Sequence, residues 1–489
     1  MRGHLRADRR AGPHQDHQDA ARPGRRHGQG AAQAPARTAH DPRHRRGGGG
    51  RAAASRDPHT AHDHPTGASA GSPRGHPDGP GPAAAGGRDR PARRYSRAYE
   101  LVQPFRRALV MATTSCDVAI VGAGLGGCFL ALLLGRRGQH VVVIEQGPSV
   151  PSAGADFLKP PGRRVLARHG LADLVERHGL RRDTIRYYHD GDPISECRFP
   201  DDGFVIRPYR ELVELIYTSC VMEGVEFRFD TGIDDIVTGD GRVEELTLSD
   251  GRTLRAGVVI GADGTKSAVR RALDIEQQTM PYERLLMRVA TVPLTASVAR
   301  LNRLYFSSEG WLAYFYPLDK DRARVFVGLP PEDDKEIFQD GIPLLIDTLK
   351  RFVTDSSDAF NVLQPATWQR IKVSSLRVAG YHKGNAALLG SAAFACHPMT
   401  GMGMSYTLHD AEILADVICA AGGDGDLLDR LLYARYEPRR HAHRELIDYG
   451  DALAATFRDR AAYLSAFRPD LHVHGDAAAP EEVPALQPI

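Results

Sequence analysis

Gly122, Gly124 and Gly127 follow the spacing Gly-x-Gly-x-x-Gly, and Glu145 closes the next apolar run 18 residues beyond the last of them. Each position has a task that another side chain would spoil. Glycine at 122 permits a tight turn, glycine at 124 lets a pyrophosphate approach the backbone, and glycine at 127 lets a helix pack closely on a strand. The N–H groups that open that helix attract phosphates, while Glu145 can accept hydrogen bonds from a ribose. An acid here suits a free 2′-hydroxyl, so FAD or NAD fits better than NADP. The spacing does not separate those two.

Two later segments complete the pattern. The first is Gly261-Ala-Asp263-Gly-Thr-Lys-Ser267-Ala-Val-Arg270, which by itself reads as a turn and a helix N-cap. It resembles the GADGxxSxVR signature of FAD-dependent group A monooxygenases, the para-hydroxybenzoate hydroxylase-like aromatic hydroxylases. The second runs from Leu389 through Gly390, Ser391, Phe394, His397, Pro398, Gly401 and Gly403 to Met404, with Asp410 following. It is similar to the family's GDAAHxxxPxxGxGxN segment, with Ser391 standing for the family Asp and Phe394 for its His.

The resemblance implies FAD as cofactor and NADH or NADPH as reductant. It implies that Asp263 contacts the flavin and shapes the path of the nicotinamide. It also implies that Gly390, Ser391, Pro398, Gly401, Gly403 and Met404 lie along the isoalloxazine and ribityl chain, and that Arg210 lies near the pyrophosphate or ribityl chain. Serine at 391 supplies a hydrogen bond but no charge, which weakens FAD binding or the reaction with NAD(P)H. The run His397-Pro-Met-Thr-Gly-Met-Gly-Met is also similar to squalene epoxidase and ubiquinone-biosynthesis hydroxylases, which hints at a lipophilic substrate. His397 receives no catalytic role, and no protein acid or base is named. Lys159 invites comparison with the lysine of flavin-dependent halogenases, but it follows the first motif too soon. The only tryptophans, Trp311 and Trp368, form no WxWxIP pattern.

The elements that must position these residues are legible around them. Asp117–Val121, the Gly turn, Cys128–Leu134 and His140–Glu145 read as strand, turn, helix and strand, a βαβ unit with buried parallel strands. Helices are expected around 163–169, 171–178 and 210–223. The stretch 225–248 alternates like paired strands, and 257–260 is a further buried strand. Several strands are expected over 285–329, with the aromatic run Trp311–Tyr316 a candidate wall for a substrate cavity. A strand at 386–389 leads into a helix over 404–420, and more helices are expected to 467.

The chain has 489 residues, 42% hydrophobic and 25% charged, enough for a large core. Residues 1–94 contain no Val, Ile, Phe, Tyr, Trp or Cys, and such a segment cannot offset its ordering entropy alone. Residues 1–110 carry 21 Arg, no Lys and 9 acidic residues. The first 94 residues of this arm lack stacking aromatics and the arm shows no helical stripe, which argues against nucleic-acid binding. Its composition is what a GC-rich genome yields when read upstream of a true start, which makes Met111 the expected first residue; an authentic disordered arm is the alternative. No apolar run is long enough for a membrane span. The six cysteines show no metal-ligand spacing and read as free thiols in a reducing cytoplasm.

The expected architecture is α/β: an FAD-binding Rossmann-like domain interleaved with a mixed-β-sheet substrate domain, plus C-terminal helices. Its segments are a disordered extension (1–110), FAD-binding parts at 115–190, 209–275 and 381–425, substrate-domain parts at 191–208 and 276–380, helices at 426–469 and a flexible tail at 470–489. The implied activity is an FAD-dependent monooxygenase. NAD(P)H reduces FAD, O2 adds at C4a, and the hydroperoxide's distal oxygen passes to a small aromatic, phenolic or lipophilic substrate. An alkene epoxidase, or a reductase or non-redox cyclase motivated by Ser391, are the alternatives. No metal is expected.

Overall fold

The computed structural model describes residues 113–475, apart from 153, 200–202, 283–284, 301, 341 and 365–367. The extension expected over 1–110, the start at Met111 and the tail beyond 475 lie outside the described residues.

The chain opens with β1 (Thr114–Val121), α1 (Leu125–Gly135) and β2 (Val141–Ile144). Next come β3 (Phe157–Leu158), α2 (Pro160–Arg168) and the antiparallel pair β4 (Thr184–His189) and β5 (Asp192–Arg198). Helix α3 (Tyr209–Met222) leads to β6 (Glu226–Arg228), β7 (Ile233–Gly239), β8 (Arg242–Leu248) and β9 (Thr253–Gly261), then to the short α4 (Ala268–Ala272). Strands β10 (Gln277–Pro281), β11 (Leu286–Pro293), β12 (Asn302–Phe306), β13 (Leu312–Pro317) and β14 (Arg322–Leu329) follow. The rest comprises α5 (Pro331–Asp340), α6 (Ile342–Leu349), β15 (Gln369–Ile371), β16 (Ser374–Val378), β17 (Ala386–Leu388), α7 (Gly403–Ala421), α8 (Arg439–Thr456), α9 (Arg460–Ala466) and α10 (Pro469–His474).

Strands β17, β9, β1, β2 and β6 pair in that order, all parallel, with Val118 opposite Val258 and Val141. Their Val and Ile side chains are buried on both faces, as parallel strands covered by helices require. Helix α1, from Leu125 to Leu134, is buried all round, lying between this sheet and helices α3 and α7. Strands β7 and β8 extend the sheet through β9 as an antiparallel hairpin.

A second sheet has the order β15, β11, β14, β13, β12, β4, β5, with β12 and β4 parallel and the remaining pairs antiparallel. Strand β4 thus pairs within the second sheet, although it lies in the segment 115–190 expected for the first domain. The aromatic run expected to wall a cavity is divided by the two-residue period of β13. Trp311, Ala313 and Phe315 pack outward with Ile337, Ile342, Leu345 and Leu349 of α5 and α6, whereas Leu312 and Tyr316 join the main core.

The expected tail starts too early. Residues Pro469–His474 form α10, and its Leu471 and His472 are buried. Among the described residues no helix is long and apolar enough to cross a membrane.

Candidate functional site

A groove of about 840 Å³ opens along the carboxyl edge of the parallel sheet, where open α/β sheets bind ligands. Gly122, Gly124, Gly127, Glu145, Asp263, Gly390, Ser391, Gly403 and Met404 all line it. Residues far apart in sequence therefore meet in one groove. Two helices present their N-termini there, α1 beside Gly124 and the 19-residue α7 beside Gly403. Their dipoles favour negative charge at both places.

Local packing explains the glycines. Gly122 has φ +109°, and a Cβ added to Gly127 would lie 2.0 Å from the Gly122 carbonyl oxygen. At Gly124 the nearest atom to an added Cβ is the Tyr209 hydroxyl at 3.5 Å, so the backbone there stays approachable. Glu145 is held by two backbone donors, Ala123 N–H to Oε2 at 2.9 Å and Gly147 N–H to Oε1 at 2.8 Å. Each oxygen retains acceptor capacity for a ribose.

Asp263 caps α4, its Oδ2 accepting from Ala268 N–H at 2.6 Å, while Ser267 accepts from Arg270 N–H at 2.9 Å. The Oδ1 atom of Asp263 is buried and without a protein partner among the described residues. A buried acceptor left open in a groove wall suits a hydroxyl- or amide-bearing ligand. With the bare backbone at Gly124, the anchored Glu145 and the paired helix N-termini, the residues present fit FAD.

Three expected residues are placed elsewhere. Arg210 points to solvent and pairs with Glu214 at 2.7 Å, because it lies one step around α3 from the groove. Its neighbour Tyr209 takes the site instead, its hydroxyl accepting from Leu125 N–H at 3.1 Å while burial pushes the phenol up to about 12. Pro398 and Gly401 do not line the groove. Pro398 opens a tight turn (Pro398–Thr400) that Gly401 closes with φ +58°, so both shape the approach to α7.

Sequence reasoning missed Tyr209, Gln146, Lys266, Arg271, Thr407 and the turn Thr231–Ile233, all in the lining. Only Tyr209 carried a signal, as an aromatic residue opening an amphipathic helix.

Phe394 also lines the groove, and its other face stacks on the His443 ring with centroids 3.9 Å apart. Behind it His443 Nε2 lies 2.9 Å from Asp410 Oδ2, and Arg439 donates to Asp410 Oδ1 at 2.9 Å. Burial pushes the Asp410 carboxyl up, but His443 and Arg439 outweigh it and hold it down at about 2. The imidazole of His397 is fully buried, its Nδ1 accepting from Met399 N–H at 3.2 Å and its ring edge-on to Tyr282. Burial lowers it to about 3, which suits a neutral packing residue.

The second sheet joins the groove through Asp156. Its carboxylate accepts from Tyr316 Oη and Arg324 Nε, each at 2.9 Å, and from Tyr209 N–H at 3.1 Å. Phe157 stacks on Tyr314 with ring centroids 5.4 Å apart. The face turned toward the parallel sheet is thus aromatic with one buried ion pair.

A family described as the FAD binding domain matches residues 115–447. The crystal structure of PqsL from Pseudomonas aeruginosa, in complex with 2-aminobenzoylacetate, superposes with a TM-score of 0.67 at 36% identity, covering 72% of this chain and 100% of that one. The 3-amino-4-hydroxybenzoate 2-monooxygenase of Streptomyces platensis is 27% identical over 355 residues, 68% of this chain and 87% of that protein. The 6-hydroxynicotinate 3-monooxygenase of Pseudomonas fluorescens is 25% identical over 377 residues, 70% of this chain and 92% of that protein.

Proposed function

The chain belongs to the FAD-binding family of flavin-dependent aromatic monooxygenases, and from that premise we propose that it hydroxylates a small aromatic substrate bearing an amino or hydroxyl group and a carboxylate. The observation that carries this reading is the convergence of Glu145, the α1 N-terminus and the α7 N-terminus on one groove. The relatives support the substrate class, since their names specify 3-amino-4-hydroxybenzoate and 6-hydroxynicotinate.

When bound, FAD supplies the activation of O2 after reduction by a nicotinamide coenzyme. The chain's own part is to bind, orient and shield. Glu145 would receive the adenosine ribose, the α1 N-terminus beside Gly124 the pyrophosphate, and Asp263 Oδ1 a polar group farther along. Gly390, Ser391, Gly403 and Met404 would bracket the ring system, with the α7 N–H groups stabilising negative charge there. Phe394 seals one wall against water.

We assign the described parts of 115–183, 209–275 and 381–425 to the flavin domain, and those of 184–208 and 276–380 to the substrate domain.

The test is an absorbance and NAD(P)H-oxidation assay on the purified chain under air. Bound flavin, coenzyme consumption accelerated by aminobenzoate- or hydroxypyridine-type acids, and a product heavier by one oxygen are the expected results. Bound flavin with no oxygenated product from any aromatic acid would sink the hydroxylase reading.

A further inference from the structure

Lys159, set aside on sequence grounds, is 3% exposed in the structure. It follows β3 and occupies the N-cap of α2. Its Nζ donates to the Thr400 carbonyl oxygen at 2.8 Å and also contacts His472 Nδ1. His472 comes from α10 and is 1% exposed. Its Nε2 lies 2.7 Å from the hydroxyl of Tyr449 on α8, which accepts from Arg468 N–H at 3.2 Å. With Nδ1 accepting from lysine, Nε2 carries the ring proton and donates to Tyr449.

The turn that Lys159 touches leads straight into the flavin groove. Thr400 ends the Pro398–Thr400 turn, and a Cβ on Gly401 would lie 3.0 Å from Lys159 Nζ. Two residues later Gly403 and Met404 open α7 in the groove wall.

We propose that Lys159 is a positioning residue of the flavin site: its Nζ clamps the turn that aims the α7 N-terminus at the groove, and α10 belongs to the site because His472, backed by Tyr449, holds that Nζ in place. The proposal rests on FAD occupying the groove.

The surroundings make this clamp electrically responsive. Facing Lys159 are His472 from α10, Tyr449 behind it on α8, Cys197 from β5 and Cys396 from the segment before the turn. None is a carboxylate. Burial therefore dominates and lowers the lysine to about 7, and burial together with Lys159 holds His472 well below its ordinary range. Near neutral pH the amine takes up a proton while the imidazole stays neutral.

A buried positive charge acts more strongly than an exposed one, and this one lies at the turn before the α7 N-terminus. Two-electron reduction of FAD with uptake of one proton leaves one negative charge on the ring. A proton taken from solvent by Lys159 balances it. In turnover the nicotinamide coenzyme supplies both electrons and the ring's hydrogen together as hydride; in a titration dithionite supplies the electrons and solvent supplies the ring's proton, and both protons return to solvent when the ring is reoxidised. Protonated Lys159 thus favours binding of the reduced form over the oxidised form.

The test compares the full chain with Lys159→Met, His472→Leu and His472→Gln. Affinity for oxidised FAD is measured by fluorescence, and the midpoint potential of bound FAD is followed from pH 6 to 9. The unaltered chain should show a change of slope near neutral pH. Lys159→Met should bind reduced FAD at least about tenfold less tightly relative to oxidised FAD, a fall of ~30 mV for a two-electron couple, and should lose the slope change. His472→Leu should move the same way. His472→Gln, whose amide offers an acceptor to Nζ and a donor to Tyr449, should recover most of the potential. Lys159→Met protein that binds FAD with an unchanged potential and pH slope would overturn the proposal. Should Lys159→Met fail to fold, equal potentials in the two His472 variants would overturn it. An unaltered chain that binds no FAD even in excess would instead defeat the flavin reading on which the proposal rests.

Discussion

Tyr209 and Arg210 are neighbours at the start of α3, yet one step of helical rotation sends them to different fates. The tyrosine hydroxyl accepts the Leu125 N–H at the head of α1, while the arginine pairs with Glu214 at the surface. A buried neutral hydrogen bond contributes about 1 kcal/mol net, so Tyr209→Phe should weaken FAD binding about fivefold in a fluorescence titration. An exposed i,i+4 pair contributes only about 0.3–0.5 kcal/mol. Arg210→Ala should therefore shift the same titration less than about twofold, and a large loss would return the arginine to the site.

At the scale of elements, two helix starts and one strand period do the positioning. The head of α4 is capped twice, by Asp263 and by Ser267. Losing one cap costs about 1 kcal/mol, so Ser267→Ala should lower the urea midpoint and leave the bound-flavin spectrum unchanged. Asp263→Ala should do both kinds of damage, because the residue lines the groove and its second oxygen is left without a partner among the described residues. The head of α1 tolerates less. Gly127→Ala drives a methyl into the Gly122 carbonyl, and overpacking of this kind costs about 1–3 kcal/mol or more. It should abolish yellow colour in the purified protein. In β13 the alternation separates function from stability. Phe315→Ala should cost about 3–5 kcal/mol in urea unfolding without altering the affinity of the folded protein for flavin, since Phe315 packs on the far side of the sheet.

For the whole molecule, buried ionisable groups set the pH range in which the fold holds. Burial keeps His397 neutral down to about 3 and holds His472 well below its ordinary range, whereas each would protonate near 6.5 in the unfolded chain. The unfolded state then binds more protons as pH falls through 6.5, and stability drops by about 1.4 kcal/mol per pH unit for each histidine. Lys159 acts in the same sense at higher pH: brought down to about 7 by burial, it gives stability above its unfolded value that is lost as pH falls toward 7. Glu412 follows at the acid end. Burial raises it, but His169 and Arg168 outweigh that and hold it at about 2, as Asp410 is held. Their stabilisation is lost between about pH 4 and 2. The urea midpoint should accordingly decline from pH 8 to 5 and fall more steeply below 4. A flat profile from 8 to 5 would contradict the burial of these histidines.

The sequence by itself determined the βαβ opening, the Gly122–Gly127 turn and the place of Glu145 just beyond β2. These depend on local spacing, on buried β-branched runs and on glycines whose added side chains would collide with near neighbours. Tertiary structure alone decided which side chain at each helix start faces the groove, because that depends on how α3 is rotated against α1. It also decided that β4 joins the second sheet, and that half of the aromatic run faces away from the site. The end of the described chain makes the same point most sharply. Read locally, the segment from Asp470 is rich in Ala, Pro and Glu. Its described part is helical to His474, and its His472 meets Lys159, 313 residues earlier in the chain. No local pattern encodes a hydrogen bond between two buried groups that far apart.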